Sequence, residues 1–310
     1  MKYTIIDQRG TIGYNFIMET CLAFVLGGGG ARGAFQVGAL KALHEAGLRP
    51  DLLVGSSIGA VNAAAIALWG FDETGLFGLE LAYHKVAGAG IIDVSLPRFA
   101  VQAITGRLNH QSRERAANFL VATGITPDLT FGDLTGPRLG IVGADLAEGQ
   151  TILYGRDPNG SILEAVLASM AIPPWFAPVE RDGHFIMDGG VVSNLPIEAA
   201  LDMGATEIIA LDLEDPNTLP GIDNSLTQLA GRLWYAVGRR VVYLEMELAR
   251  ARNVRVHHLQ LHSHAATPVW DFSDVTGLIR TGYEQAWAWI PDELGIGGPK
   301  SVSRLDERPE

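Results

Sequence analysis

Gly55-Ser56-Ser57-Ile58-Gly59 sets a serine between two glycines in a G-x-S-x-G pattern. It stands between a short apolar run that reads as a strand and an alanine-rich segment that reads as a helix. A serine at such a turn is held in a strained backbone conformation with its hydroxyl projecting, and small neighbours let strand and helix approach. The amide of Ile58 then faces the same space from the positive end of the helix. The alternative for Ser57 is a plain helix N-cap; Ser56 occupies the wrong place in the motif. A second run, Gly27-Gly28-Gly29-Gly30-Ala31-Arg32-Gly33, also joins a strand to a helix, and its uncovered amides make a cradle for negative charge. A third block, Asp188-Gly189-Gly190, ends a short strand and leads to Asn194-Leu195-Pro196. Taken alone, Asp-Gly-Gly is a common turn; at a strand end among small residues its carboxylate can reach a shared pocket.

The elements that must carry these blocks emerge from hydrophobic patterning. Leu22-Ala23-Phe24-Val25-Leu26 is a continuous apolar run ended by glycines, as expected of a strand buried on both faces. Residues 34–46 carry Phe35, Val37, Leu40 and Leu43 at helical spacing and stop at Gly47. Residues 52–54 read as a second buried strand and 58–68 as a second helix. Alternating strands and helices with short joints predict parallel strands joined by crossovers, and hence an α/β fold. Residues 69–137 change character, with weaker helical patches at 76–86 and 113–122, and read as an insertion that caps a pocket. Strands are then expected at 139–142, 150–154, 184–187 and 207–213, with helices at 162–170 and 196–203. Leu226, Leu229, Leu233, Val237, Val241, Leu244 and Leu248 step by three and four, the mark of an amphipathic helix of about seven turns. A strand at 254–261 and a helix at 273–290 complete the pattern. Residues 1–20 read as an extension outside the fold or an extra edge strand, without the features of a signal peptide. Residues 21–290 read as the domain, and 291–310 as a flexible tail.

Composition narrows the classes. The chain has 310 residues, 47% hydrophobic and 19% charged, which excludes a mainly disordered protein. A net charge of −12 argues against a nucleic-acid partner, because phosphate contact needs clustered positive charge. The single Cys21 excludes an intrachain disulfide and a Cys-rich zinc site, and suits a reducing cytoplasm. No apolar run approaches the ~18 residues of a membrane span.

Several chemistries compete for the same residues. Gly28, Gly30 and Gly33 fit G-x-G-x-x-G, a dinucleotide-binding turn, but that reading needs an acidic residue at the end of the next strand, where Gly55 stands. The loop could instead supply an oxyanion hole to the neighbouring Ser57, or be only a tight turn. Arg32 could orient the loop, attract an anionic head group or bridge surface carboxylates. His257, His258, His262 and His264 all come after Asp188, so chain order permits a Ser-Asp-His triad of the α/β-hydrolase type. His257 and His258 are adjacent and point to opposite faces of their strand. A zinc site from His257, His262 and His264 lacks a fourth ligand and helical spacing. Arg232, Arg239, Arg240, Arg250, Arg252 and Arg255, against Glu245 and Glu247, make a locally basic stripe that could rest on anionic lipid or simply be a solvated helix face.

The blocks Gly28-Gly29-Gly30-Ala31-Arg32-Gly33, Gly55-Ser56-Ser57-Ile58-Gly59 and Asp188-Gly189-Gly190, in that order, resemble those of the patatin-like phospholipases. Ser169-Met170-Ala171-Ile172-Pro173 with Phe176, Pro178 and Val179 resembles the segment before that family's aspartate, and Asn194 and Pro196 fit the segment after it. The resemblance covers about residues 22–213. Many plant members have an acidic residue where this chain has Gly27. The resemblance implies a three-layer α/β/α sandwich with a mainly parallel central sheet, capped by the 69–137 insertion. It implies hydrolysis of acyl esters of lipids by a Ser57-Asp188 dyad, with Gly28, Gly29, Gly30 and the Ile58 amide as oxyanion hole. Gly33, Gly55, Gly59, Gly189 and Gly190 would support the motifs, and no metal or cofactor is required. A catalytically silent lipid-binding protein that keeps the fold is the alternative of a different class. Peripheral contact with a membrane fits either; nothing in the sequence sets an oligomeric state.

Overall fold

The computed structural model describes residues 2–6, 12–16, 20–89, 110–173, 175–181, 183–214, 226–263 and 267–297. Strands β1 (Lys2–Ile6) and β2 (Ile12–Phe16) form an antiparallel ribbon separate from the main sheet. The main sheet is built from β3 (Leu22–Leu26), β4 (Leu52–Ser56), β5 (Arg138–Asp145), β6 (Gln150–Tyr154), β7 (Val179–Arg181), β8 (His184–Asp188), β9 (Glu207–Asp212) and β10 (Arg255–Gln260). Hydrogen-bonded neighbours run β10-β9-β3-β4-β5-β8-β7, with β6 also on β5. The β10, β9, β3, β4 and β5 pairings are parallel, whereas β6, β7 and β8 join antiparallel.

Among the described residues, helices α1 (Gly33–Glu45), α2 (Ile58–Trp69), α3 (Glu73–Ala89), α4 (His110–Ala122), α5 (Ile162–Ser169), α6 (Ile197–Asp202), α7 (Leu226–Ala251) and α8 (Val275–Leu294) accompany the sheet. The apolar strands have two buried faces because side chains alternate. Phe24, Leu26 and Leu53 pack with α1, α2, α5 and α8 on one side. Ala23, Val25, Leu52 and Val54 pack with α6 and Ala249 of α7 on the other. The result is the expected three-layer sandwich. Helices α3 and α4 lie within the expected 69–137 insertion, of which residues 90–109 fall outside those described.

The central constraint lies in β5. One edge pairs with β6, Ile141 to Asp145 opposite Tyr154 to Gln150. The other edge is shared: β4 accompanies it as far as Ser56 opposite Val142, and β8 takes over with Asp188 opposite Gly143. Because β4 is parallel to β5 and β8 antiparallel, their carboxyl ends point at each other. Residues distant in sequence thereby meet at one place.

The last helix outruns its expected end at residue 290. Pro291 sits inside it, and the helix stops only where Gly295 adopts φ 66° and its amide bonds back to the Pro291 carbonyl. At the other critical turn, a Cβ on Gly59 would stand 2.0 Å from the Leu26 carbonyl oxygen, so only glycine lets α2 lie this close to β3. Because the clash is with backbone, Gly59→Ala should destabilise the fold by about 3 kcal/mol or prevent folding, measured by urea unfolding.

Candidate active site

Ser57 connects β4 to α2 at φ 55° and ψ −125°, a conformation that side chains rarely adopt. The surroundings hold it there. Its N–H donates to Ser169 Oγ at 2.9 Å, and the Ser169 hydroxyl donates to the Val142 carbonyl at 2.6 Å. Its carbonyl accepts from Ala60 and Val61, starting the helix. Ser57 thus occupies the N-cap position, yet its side chain makes no capping bond. The hydroxyl turns instead to the carboxylate across the gap, donating to Asp188 Oδ2 at 2.6 Å. Ser56 is fully buried and does not border the cavity.

Asp188 is 2% exposed, and its Oδ1 accepts from the Gly190 amide at 2.8 Å. Burial pushes its carboxyl up from the ordinary 3.8 to about 6, while the hydrogen bonds from Ser57 and Gly190 pull the other way. Such a carboxylate is ionised near neutrality and far more basic than one in water. It is close enough to take the serine proton. Gly189 lies against the Val142 carbonyl, which draws the Asp188 turn onto β5.

The glycine loop is pinned at its start and open at its centre. Gly27 N–H donates to the Leu211 carbonyl and Gly28 N–H to the Asn194 carbonyl, each at 3.0 Å. Asn194 Nδ2 returns a bond to the Gly28 carbonyl at 3.3 Å. Gly28 is therefore not available as an oxyanion donor, contrary to the expectation from sequence: its amide is consumed by the loop after Asp188. Gly29, Gly30 and Ile58 border the cavity, and their amides have no protein partner among the described residues. Arg32 Nε donates to the Gly29 carbonyl at 3.3 Å and so orients the loop.

A fully buried polar chain holds this loop, and sequence reasoning missed it. Tyr83 donates to Asn62 Oδ1 at 3.0 Å, Asn62 Nδ2 to Gln36 Oε1 at 2.9 Å, and Gln36 Nε2 to the Gly27 and Leu211 carbonyls at 2.9 and 3.1 Å. The available signal was polar residues in helices that are otherwise apolar, Gln36 between Phe35 and Val37 and Asn62 among alanines. Ser169 was visible only as part of a resembling segment.

Ser57 and Asp188 border a cavity of about 400 Å³. Its walls are largely apolar: Leu79 and Val86 from α3, Phe119 and Leu120 from α4, and the neighbouring rings of Trp175 and Trp270. Glu214 also reaches it, with a carboxyl pushed up to about 7 by burial and by nearby Asp212. His257 and His258 are engaged elsewhere. His257 bridges Glu293 and Glu207 at 2.9 Å each, and His258 contacts Asp212 at 2.9 Å. Neither they nor His262 border the cavity, and His264 lies outside the described residues. The direct Ser57-Asp188 bond leaves no place for an imidazole between them, which removes the geometric basis for a triad through His257, His258 or His262. Among the described residues, no three His, Cys, Asp or Glu side chains converge to hold a metal ion.

The geometry sets two expectations for stability. Ser169→Ala leaves the Ser57 amide and the Val142 carbonyl unpaired, and should cost about 1–3 kcal/mol in urea unfolding. Between pH 3.8 and about 6 the unfolded chain ionises Asp188 while the folded one keeps its proton. The contribution of Asp188 to stability should therefore fall as pH rises through that window, by about 3 kcal/mol in all. Asp188→Asn cannot titrate, so thermal melts should show its stability relative to wild type improving across the same range.

A family model described as patatin-like phospholipase matches residues 24–201. The chain is 31% identical over 239 residues to patatin-like phospholipase domain-containing protein 7 of Mus musculus, covering 74% of this chain and 17% of that protein. It is 30% identical over 230 residues to patatin-like phospholipase domain-containing protein 6 of Homo sapiens, covering 71% and 15%. The chain thus spans less than a fifth of these relatives' length. The crystal structure of VipD from Legionella pneumophila aligns with a TM-score of 0.49 at 15% identity, covering 94% of this chain and 70% of that one. With a family match over more than half its length and a relative 31% identical over nearly three quarters of it, this chain belongs to the patatin-like phospholipase family.

Proposed function

We propose that the chain hydrolyses carboxylic ester bonds of lipids, as a phospholipase A or lysophospholipase does, with Ser57 as nucleophile and Asp188 as general base. The observation that carries this reading is the 2.6 Å hydrogen bond from Ser57 Oγ to a carboxylate buried to 2% exposure. A relative named as a lysophospholipase in Aspergillus terreus, 31% identical over 212 residues, supports the substrate class.

Ser57 Oγ attacks the acyl carbon while its proton passes to Asp188, giving a tetrahedral oxyanion. The Ile58 amide, at the positive end of α2, and the Gly29 and Gly30 amides of the loop before α1 receive that charge. Collapse expels the alcohol, which takes the proton from Asp188, and leaves an acyl-enzyme. Water then gives a proton to Asp188 and attacks the ester; the second collapse releases the fatty acid and returns the proton to Ser57. The apolar cavity holds the acyl chain, and α3 and α4 act as its cap. Among the described residues no helix is long and apolar enough to cross a membrane.

Ser57→Ala and Asp188→Asn should each lower kcat on a short-chain ester by at least about 10³-fold without unfolding the chain. A fluorophosphonate should label Ser57 in the wild type. Because Asp188 must be ionised, kcat/KM should climb as pH rises through about 6 and then level off. His257→Gln and His258→Gln should stay within about threefold. A dead histidine variant that remains folded would restore the triad. A wild type that turns over no acyl ester, lysophospholipids and phospholipids included, would instead favour a silent lipid-binding protein.

A further inference from the structure

Helix α7 has two apolar faces. At about 100° per residue, Gly231, Tyr235, Gly238 and Val242 share one side, and that side lines the cavity of Ser57. Farther along it Glu245 is buried, accepting from the Ser193 hydroxyl at 2.5 Å and the Glu198 amide at 2.9 Å, and anchors the helix to the body. On the opposite side, Leu229, Leu233, Val237 and Leu244 fall within about 80° of one another. They are 63, 65, 51 and 49% exposed, and Tyr243 beside them is 53% exposed. Of the stripe that the sequence displays, these four point outward, while Val241 and Leu248 are half-buried and Leu248 packs on the core. Single exposed leucines are ordinary; a row extending over four turns marks a surface that something covers.

Charge and position identify the cover. In a chain of net charge −12, α7 carries Arg232, Arg239, Arg240 and Arg250 against Glu245 and Glu247, and Glu245 is buried. The Arg240 guanidinium lies over the ring of the exposed Tyr243, 5.1 Å from its centre, within the stripe, whereas Arg239 lies over Tyr235 toward the cavity. Leucines rimmed by arginine and tyrosine suit the headgroup boundary of an anionic bilayer. A second copy would bring the same basic face rather than an opposite charge. The other face of the same helix closes the cavity, so a bilayer resting here lies about one helix diameter from the site.

We infer that α7 is a docking helix whose outward stripe rests in the surface of an anionic lipid bilayer, holding the cavity beside its substrates. The inference rests on the proposed lipid hydrolysis only for what enters the cavity; docking itself is read without turnover. The test uses the full chain, a triple variant Leu229→Asp/Leu233→Asp/Leu244→Asp, and a milder set with serine at the same positions. Each is sedimented with vesicles of phosphatidylcholine, with and without phosphatidylglycerol. The wild type should bind the phosphatidylglycerol vesicles more tightly, and more weakly as salt rises. Both triple variants should lose about tenfold or more in affinity, while hydrolysis of a dissolved short-chain ester stays within about twofold. Ser57→Ala should bind vesicles as the wild type does. Folded variants that bind like the wild type, or a wild type that binds neither vesicle, would overturn the docking helix. So would a wild-type dimer that the substitutions convert to monomer, because a second copy then covers the stripe. A wild type without ester turnover whose vesicle binding still depends on the leucines would remove the hydrolase reading and leave the docking intact.

Discussion

A serine hydroxyl that donates to a buried carboxylate sets two demands that oppose each other. The carboxylate must be dry enough to be a base stronger than aqueous aspartate, yet solvated enough by the protein to stay ionised near neutral pH. Here burial drives Asp188 up, and the Ser57 hydroxyl and Gly190 amide hold it at about 6. A third donor would weaken the base, and the loss of either would leave a carboxyl closer to permanently protonated. Much of the architecture keeps this balance: β5 offers one edge to two strands whose ends meet there, Ser169 fixes the elbow backbone, and Gly189 presses the Asp188 turn onto the sheet.

The glycine loop is held by a comparable economy of donors. Four consecutive glycines present four amides, but the fold spends the first two on the carbonyls of Leu211 and Asn194. Those bonds give the loop a fixed path, and the Tyr83, Asn62 and Gln36 chain locks it from beneath with hydrogen bonds made in the interior. Because Tyr83 comes from α3, the wall of the cavity and the loop that faces the serine are mechanically one unit. Displacement of α3 would be felt at Gly27 through three hydrogen bonds.

Helix α7 inverts the ordinary arrangement of a surface helix. Glycines at 231 and 238 and Tyr235 make an inward face shaped to roof a cavity, leaving the longer aliphatic chains to the outside. Inward leucines at those positions would fill the space that an acyl chain needs. The geometry of the cavity therefore sets which face of the helix can carry bulk.

The amino-acid sequence by itself determined the alternation of buried strands and helices, the serine elbow, the glycine cradle and the aspartate turn. Each is a local property: continuous apolar runs need two covered faces, and a strand-to-helix turn at glycine-flanked serine admits few conformations. Only the tertiary structure decided which donors and faces remain free. Gly28, Gly29 and Gly30 are alike in sequence, yet the Gly28 amide is taken by Asn194, a residue brought there by the sheet. Ser57 could have capped its helix until Asp188 arrived opposite it. The leucine stripe of α7 shows its spacing in one dimension but not its direction, since helical periodicity defines a face without saying what lies on either side. Pro291 reads as a stop, while the helix ends at Gly295, because a proline tolerated near the end of a helix does not by itself provide the left-handed cap that closes it.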